Sequence, residues 1–374
     1  MVLDKATTRY VALMITHKCN LNCVYCYEKF KSTQTMDIDN AKKYIINIFD
    51  KTVRSGKYKA LELSMMGGEP LLEFEKIKEI SEWMWSREWP LKYILFASTN
   101  GTLLSDKMKQ WFYANKDKFV LGISLDGAAE SQITNRGQLT SVVDVDFFVK
   151  AWPLQGIKAT ISQDSLRHLA EDIIYIHNKG FKTIYANLAF SIEWEWESLS
   201  VFKEQLLNLV DFYLKHPEIS RCSLLNLDLC SILDFSDSYE KYCGCGEGTL
   251  LIESDGTEFP CPVFSPISLP KERLEALKGM DFADPSMFIG DKCKKCLLRK
   301  GCNKCYGMSF IQTGNPAYVS PFNCAAYKIQ VLANCVLQEK MMERDLLNSQ
   351  EKKNMANVLR AMRIIFNHSS NQMS

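Results

Sequence analysis

The sequence has no excess of charge of either sign and no long apolar run. Its 45 Lys and Arg residues balance 44 Asp and Glu residues, which leaves a formal net charge of +1. So small a charge provides no field typical of nucleic-acid-binding or membrane-surface proteins. The longest apolar runs, such as residues 11–15, are too short to span a bilayer, and the N-terminus has no stretch of signal-peptide length. We expect a cytoplasmic protein with no nucleic-acid or membrane partner.

Histidine is also scarce, with five residues in no metal-binding spacing, whereas cysteine is abundant and unevenly placed. Of the 14 cysteines in 374 residues, three lie in residues 19–26 and the others in residues 222–335. Cysteines that serve only as small apolar core residues would be scattered along the chain. In a chain without a secretory signal, such grouping favours metal ligands over disulfides.

Short apolar runs alternate with longer amphipathic segments through the first 215 or so residues, and they predict six strands and six helices. The predicted strands are Tyr10–Ile15, Leu61–Met65, Tyr93–Ser98, Phe119–Leu125, Lys158–Ser162 and Thr183–Leu188. The predicted helices are Asp39–Arg54, Phe74–Arg87, Ser105–Ala114, Val142–Trp152, Leu166–Lys179 and Leu199–Leu214. Successive strand–helix units predict a parallel sheet covered by helices. Periodicity alone does not separate a curved, incomplete barrel from an open doubly wound sheet.

The chain changes character after about residue 228, where Cys, Gly, Pro and charged residues dominate. A segment with so few apolar stretches needs another source of stability, and metal clusters would supply it. Residues 325–366 have a helical pattern again and are followed by a polar tail.

The first group of cysteines has the spacing Cys19-x3-Cys23-x2-Cys26, in the loop after the first predicted strand. Three thiolates in so short a loop can hold three irons of a cubane cluster and leave the fourth iron open for chemistry. The alternative is a zinc site, which needs four ligands, and His17 could be the fourth.

The spacing Cys-x3-Cys-x-aromatic-Cys, with Tyr25 as the aromatic residue, resembles the signature of the radical S-adenosylmethionine (SAM) superfamily. Further motifs that resemble those of the family follow the next three strands in order: Gly67-Gly68-Glu69-Pro70, Ser98-Thr99-Asn100-Gly101, and Ser124-Leu125-Asp126-Gly127 with Arg136-Gly137. All lie at carboxyl ends of strands, where α/β sheets bind ligands.

The resemblance implies that Cys19, Cys23 and Cys26 hold a 4Fe–4S cluster to which SAM binds. It further implies that SAM or the substrate cavity is lined by Tyr25, Gly67, Gly68, Glu69, Pro70, Ser98, Asn100, Ser124, Arg136 and Asn187. The residue types suit these roles, since Glu69 can pair with an ammonium group and Arg136 with a carboxylate, while glycines permit close approach of the backbone.

The C-terminal cysteines are similar to those of the SPASM domain, an extension of radical SAM enzymes that binds two auxiliary 4Fe–4S clusters. The resemblance implies that one cluster is held by Cys243, Cys245, Cys261 and Cys305, and the other by Cys293, Cys296, Cys302 and Cys324. The interval between Cys302 and Cys305 is one residue shorter than the family's usual spacing. Taken alone, the Cys-x2-Cys pairs would also suit a zinc ribbon. Cys222, Cys230 and Cys335 remain, and we expect them to be buried apolar residues.

The fold implied by this resemblance is a partial (β/α)6 barrel in residues 1–220, a small Cys-rich SPASM domain in residues 221–330, and a C-terminal helical segment in residues 331–374. The implied cofactors are SAM and three 4Fe–4S clusters. The implied chemistry is reductive cleavage of SAM to a 5′-deoxyadenosyl radical, which abstracts hydrogen from a substrate.

Radical SAM enzymes with SPASM domains mostly act on peptides or proteins. Two branches of these enzymes are candidates for this chain. One installs thioether or carbon–carbon crosslinks in ribosomally made peptides; the other, the anaerobic sulfatase-maturing branch, oxidises Cys or Ser to formylglycine. In the second branch an Asp that acts as general base follows the cysteine matched here by Cys261. This chain has Pro262 there, which cannot accept a proton, so the pattern favours peptide crosslinking.

Four further expectations concern residues and partners. Asp126 and Tyr185 are candidate catalytic residues because both are predicted to point into the barrel. We expect an electron donor such as flavodoxin or ferredoxin. The first strand begins near Tyr10, which leaves no room before it for a leader-binding domain. Leader recognition would then use a separate protein, the barrel mouth or the C-terminal helices. A non-enzymatic iron–sulfur or zinc scaffold would keep residues 293–324 but would not need the motifs at residues 67–70 and 98–101.

Overall fold

The computed structural model describes residues 4–236 and 239–371, and its first half is built from strand–helix units. The strands are β1 (Thr8–Thr16), β2 (Ala60–Gly67), β3 (Lys92–Thr99), β4 (Phe119–Ile123), β5 (Ile157–Ile161), β6 (Ile184–Leu188), β7 (Thr249–Ile252) and β8 (Glu258–Phe259). The helices are α1 (Ile38–Ser55), α2 (Phe74–Trp85), α3 (Asp106–Ala114), α4 (Ala129–Arg136), α5 (Val145–Ala151), α6 (Leu169–Asn178), α7 (Ser198–Lys215), α8 (Lys271–Leu277), α9 (Asp291–Lys294), α10 (Tyr306–Thr313), α11 (Pro321–Glu343) and α12 (Ser349–Asn371). All six predicted strands are confirmed, with ends that differ by a few residues.

The parallel strands follow one another in chain order around a curve. β1, β2, β3 and β4 are neighbours in one sheet, and β5 pairs with β6 in a second. A bridge between Ser124 and Lys158 joins the end of β4 to β5. A doubly wound sheet reverses its strand order at a switch point, and no such reversal occurs among β1 to β6. The partial (β/α)6 barrel is therefore confirmed, and the open doubly wound alternative is wrong.

The Cys-rich segment contributes a strand to the barrel. β7 pairs in parallel with residues 10–13 of β1, on the side away from β2, and β8 returns antiparallel to β7. The predicted boundary between residues 220 and 221 therefore does not separate two independent sheets. Short strands of this kind carry little periodic signal, which is why the sequence did not reveal the pairing.

The outer helices bury one apolar face each, as their spacing predicts. In α1 the residues Ala41, Ile45, Ile48 and Phe49 are buried, and the helix begins at Asp37, whose side chain accepts a hydrogen bond from the backbone N–H of Asn40. Helix α4 was not predicted, because the side chains that it buries are polar and its apolar Ile133 is exposed. Within the part of the chain described here, no helix combines the length and the apolar character that crossing a bilayer requires.

The C-terminal helical region consists of two helices. Its pattern in residues 325–366 is interrupted between α11 and α12, where Asp345 has a φ of +54°. The predicted boundary at residue 330 falls inside α11, and α11 packs along α7 of the barrel. On α11, the buried Asn334 donates to the carbonyl oxygen of Leu224 (2.9 Å) and accepts from the N–H of Leu227 (3.0 Å). This side chain fastens the end of the barrel to the C-terminal helix.

We predict that Asn334→Ala destabilises the protein by about 2 kcal/mol, since it leaves buried backbone groups without partners. The measurement is the thermal unfolding midpoint of anaerobically prepared protein. Asn357→Ala, at an exposed position of α12, is the matched control and should leave the midpoint nearly unchanged. Equal midpoints for the two variants would contradict the role assigned to Asn334.

Candidate functional site

The carboxyl ends of the barrel strands open into a central cavity of about 510 Å³. The predicted site residues that line it are Cys19, Cys23, Tyr25, Cys26, Gly67, Gly68, Glu69, Ser98, Asn100, Ser124, Arg136 and Asn187. The Cys-rich segment closes another side of the cavity with Val263, Cys305 and Met308. The structure therefore brings the first cysteine group, the motif residues and one cysteine of the second group to one space.

The loop that carries the first three cysteines is fastened at several points. The N–H of His17 donates to the carbonyl oxygen of Gln34 (2.9 Å), which closes the loop, and the N–H of Val24 donates to the carbonyl oxygen of Asn135 on α4 (2.9 Å). Both ring nitrogens of His17 have protein partners: Nε2 lies 2.9 Å from Glu253 and Nδ1 lies 3.1 Å from the Ser32 hydroxyl. His17 is thus not arranged as the fourth ligand of a zinc site.

The thiols of this loop are partly enclosed, and their donor set is sulfur alone. Burial raises the pKa of Cys23 to about 11, against an opposing effect of Arg136, and burial also raises the pKa of Cys19. Binding to iron would therefore have to displace their protons. Among residues 4–236 and 239–371, no three His, Cys, Asp or Glu side chains converge as ligands of a single metal ion. An all-thiol triad at a cavity wall suits an iron–sulfur cluster, whose irons each take a separate thiolate.

The glycine motif at the end of β2 lets the backbone approach the cysteine loop. A Cβ atom on Gly68 would lie 2.6 Å from the carbonyl oxygen of Lys18 and 2.8 Å from the Cβ of Cys19, so a larger residue would displace the loop. The neighbouring N–H of Glu69 donates to the same Lys18 carbonyl (2.8 Å). These contacts hold the two motifs at a fixed separation.

The buried carboxylate of Glu69 joins the ends of β2 and β3. Its Oε1 accepts from the N–H of Leu71 (3.0 Å) and the hydroxyl of Thr99 (2.8 Å), and its Oε2 accepts from the N–H of Asn100 (2.8 Å). Burial raises the pKa of Glu69, and these donors oppose that effect. A carboxylate has about four acceptor positions, so Oε2 can accept one more hydrogen bond, for example from an ammonium group. The amide of Asn100 in turn donates to Asn20 of the cysteine loop (2.9 Å).

Asp126 and Arg136 form a bidentate ion pair beneath the cavity. Nε of Arg136 lies 2.9 Å from Oδ2 of Asp126, and Nη2 lies 3.0 Å from Oδ1. Asp126 also accepts from the Tyr25 hydroxyl (2.5 Å), the Asn135 amide (3.2 Å) and the N–H of Thr160 (2.9 Å). Its side chain is 0% exposed. Asp126 therefore acts on the site through Tyr25 and Arg136, and its carboxylate does not reach the cavity.

Two other predicted residues lie outside the cavity wall. Pro70 is buried behind Glu69, where it begins a short 3-10 helix. Tyr185 is half exposed, and its ring lies over Gly156, where a Cβ atom would come within 2.3 Å of it. Tyr185 shares a strand face with Asn187 but does not line the cavity, so we do not include it among the proposed catalytic residues.

A lysine that was not predicted lines the cavity beside Asn187. Lys158 lies on β5, and its amino group donates to the amide oxygen of Asn187 on β6. Lys158 is exposed to the cavity, but desolvation by the surrounding protein lowers its pKa to about 8; Asp126 has a smaller effect that raises this pKa, and Arg136 a smaller effect that lowers it. In the sequence, Lys158 is the charged residue of a predicted strand that otherwise carries no charge, and none of the motifs includes it.

The structure brings together the members of each predicted auxiliary set. In the first set, burial and the neighbouring Cys305 raise the pKa of Cys261 to about 12, and Cys243 interacts with Cys245, Cys261 and Cys305. In the second set, all four thiols line one small cavity: Cys293, Cys296, Cys302 and Cys324. Cys305 interacts with Cys243 and Cys261 of the predicted first set despite the shortened interval before it.

The three cysteines outside these sets have different surroundings. Cys222 and Cys335 are fully buried in the apolar cores, as expected. Cys230 is partly exposed, and its sulfur accepts a hydrogen bond from the Asn354 amide.

Comparison with known proteins finds a family match in the first part of the chain. Residues 13–144 match the Radical SAM superfamily. The chain is 26% identical over 335 residues to the cysteine-type anaerobic sulfatase-maturating enzyme of Clostridium perfringens. The alignment covers 77% of this chain and 86% of that one. It is 23% identical over 349 residues to the radical SAM cyclopropyl synthase TigE of Paramaledivibacter caminithermalis, covering 86% and 72% of the two chains.

The fold is also shared with a solved structure. Native anSMEcpe with bound AdoMet and Cp18Cys peptide superposes with a TM-score of 0.64 at 20% identity, over 90% of this chain and 97% of that one. At this identity the likeness shows the fold alone.

We predict that Glu69→Gln lowers SAM affinity at least about tenfold, because an amide cannot accept from every donor that the carboxylate holds and loses its charge. The measurement is anaerobic equilibrium dialysis of SAM against the iron-reconstituted protein. Glu73→Gln is the matched control, since Glu73 lies in the next turn and pairs with Lys18 and Lys76 outside the cavity wall. Unchanged affinity in Glu69→Gln with full iron content would contradict the assignment.

Proposed function

Because the chain carries a radical SAM domain, we propose that it is a radical SAM enzyme that modifies a peptide by crosslinking its side chains. The observation that carries the proposal is the shared cavity: the SAM-cluster cysteines form one part of its wall, and Cys305 of an auxiliary set forms another. A substrate in this space would lie between a site that generates a radical and a site that can accept an electron. Crosslinking needs both, because forming a bond at the radical carbon releases an electron.

The residues present fit the proposed cofactors, which are SAM and three 4Fe–4S clusters. Cys19, Cys23 and Cys26 would hold the first cluster, and the two auxiliary sets of four cysteines would hold the others. When bound and reduced, the first cluster and SAM supply a 5′-deoxyadenosyl radical that abstracts hydrogen from the substrate.

The protein's own residues would hold and orient SAM and would shield the radical from water. Oε2 of Glu69 would accept from the SAM ammonium group, and Ser124 and Arg136 would donate to its carboxylate; all three residues line the cavity. Tyr25, held by its 2.5 Å bond to Asp126, presents its ring to the cavity. Apolar side chains of the wall, Phe190 and Met308 among them, exclude water from a reactive intermediate.

Formylglycine formation is the second candidate, and the similarity to a sulfatase-maturating enzyme favours it. The residues that line the cavity beside Cys261 favour crosslinking instead. Pro262 begins a short helix after Cys261, and the residue of this segment that lines the cavity is Val263. Among the described wall residues the acids are Glu28 and Glu69, and both lie on the SAM-cluster side. The carboxylate that the sulfatase-maturing branch uses as a base therefore has no counterpart at this position.

We predict that the reconstituted, reduced protein forms 5′-deoxyadenosine from SAM and that Cys26→Ala abolishes this product. Formation is measured by liquid chromatography under anaerobic conditions, with candidate peptides from neighbouring reading frames. Cys230→Ala is the control, because Cys230 lies outside all three proposed cluster sets. Full activity in Cys26→Ala, or none in the wild type with every candidate peptide present, would contradict the proposal.

The product then separates the two candidates. A crosslinked peptide loses two hydrogens without gaining a reactive aldehyde, whereas formylglycine reacts with hydrazide reagents. We expect the first result by mass spectrometry; capture of the product by a hydrazide would replace crosslinking with formylglycine formation.

A further inference from the structure

The central cavity contains a lysine that has no carboxylate partner among the described residues. Three cationic side chains line this cavity: Lys31, Arg136 and Lys158. Arg136 is paired with Asp126, and Lys31 interacts with the thiols of Cys19 and Cys26 and with Glu28. The described partner of Lys158 is the neutral amide of Asn187.

Asp126 interacts electrostatically with Lys158 but is not available to it as a hydrogen-bonding partner. Its two oxygens accept five hydrogen bonds, two of them from Arg136, and its side chain is 0% exposed. The carboxylate is therefore fully engaged, and its charge is already balanced. Lys158 is exposed to the open cavity, so a molecule bound there can supply the anion that pairs with its amino group.

Asn187 holds the amino group of Lys158 in a defined position. Its amide nitrogen donates to the carbonyl oxygen of Leu188 (2.7 Å), which fixes its oxygen toward Lys158. A lysine has three donors, and this contact uses one. The remaining N–H groups can serve a ligand in the cavity.

The position of Lys158 indicates which ligand this is. The motif residues assigned to SAM lie at the ends of β1 to β4, whereas Lys158 and Asn187 lie on β5 and β6. Asn187 also lines a smaller adjoining cavity together with Cys302, Cys305 and Met308 of the Cys-rich segment. The lysine thus lies between Ser124, with which its backbone forms a bridge, and Asn187, which adjoins the Cys-rich segment, so a substrate bound beside SAM could reach it.

Building on the proposed function, we infer that Lys158 binds a carboxylate group of the peptide substrate. The peptide would present an acidic side chain or its terminal carboxylate on the β5–β6 side of the cavity, close to the radical source. Lys158 is exposed to the open cavity, yet the surrounding protein reduces the solvation of its amine and lowers the pKa of Lys158 to about 8. A bound carboxylate would supply the missing partner and stabilise the charged amine.

Binding of small probes to the SAM-bound, reconstituted protein tests the inference. The probes are N-acetyl-L-glutamic acid N-methylamide, its neutral glutamine counterpart, and N-acetyl-L-alanine, which carries only a terminal carboxylate. Ligand-observed NMR should show that at least one acid binds about tenfold or more tightly than the neutral probe, as expected for a charged hydrogen bond. The acid that binds identifies the source of the carboxylate.

Three variants test whether the preference for acidic probes depends on Lys158. Lys158→Met should abolish it, Lys158→Arg should largely retain it, and Lys182→Met, at an exposed position, should leave it unchanged. SAM affinity should be unaltered in all three. Equal binding of acidic and neutral probes to the wild type would overturn the inference, and so would a loss of SAM affinity in Lys158→Met, which would assign the lysine to SAM.

Failure of the proposed function would look different. Absence of 5′-deoxyadenosine from the same wild-type preparation contradicts the function, whereas absence of an acid preference with normal 5′-deoxyadenosine formation contradicts only the role of Lys158.

Discussion

The buried ion pair between Asp126 and Arg136 is the contact on which the arrangement of the site depends. Asp126 follows β4, Arg136 ends α4, and the same carboxylate also accepts hydrogen bonds from Tyr25 in the cysteine loop and from Thr160 on β5. Four parts of the barrel therefore meet at one side chain. Removing one partner of such a pair leaves an uncompensated buried charge, which typically costs about 3–5 kcal/mol. The pair fixes Tyr25 between Cys23 and Cys26, and it leaves Lys158 with the neutral amide of Asn187 as its partner and no carboxylate partner among the described residues.

Glu69 has the corresponding role on the other side of the cavity. It joins the ends of β2 and β3, and Asn100 extends that connection to Asn20 in the cysteine loop. Two buried carboxylates thus position the loop from two directions, and both are held by donors from the backbone as well as from side chains. The shape of the short cysteine loop is thus determined more by the barrel residues that contact it than by its own residues. These contacts hold the three thiols in a fixed arrangement.

Much of the fold and most of the cavity wall could be predicted from the sequence, because the motifs follow strands whose carboxyl ends must meet in a parallel sheet. Helix α4 could not be predicted, since the side chains that it buries are Ser131, Gln132, Asn135 and Arg136. Tyr185 was predicted to point into the barrel, and it does share a strand face with Asn187, which lines the cavity. It lies two residues earlier, about 6.6 Å farther along the strand at 3.3 Å per residue, and so lies outside the cavity wall. The position of β7 beside β1 depends on long-range pairing that local patterns do not show.

The central claim is that the loop of Cys19, Cys23 and Cys26 holds a cluster to which SAM binds in the central cavity. Electron paramagnetic resonance of the reduced, reconstituted protein with and without SAM tests it most directly. We expect SAM to change one cluster signal in the wild type, and we expect replacement of these three cysteines by alanine to remove that signal while the auxiliary signals remain. A spectrum that SAM leaves unchanged, or a SAM-sensitive signal that survives the triple replacement, would contradict the claim.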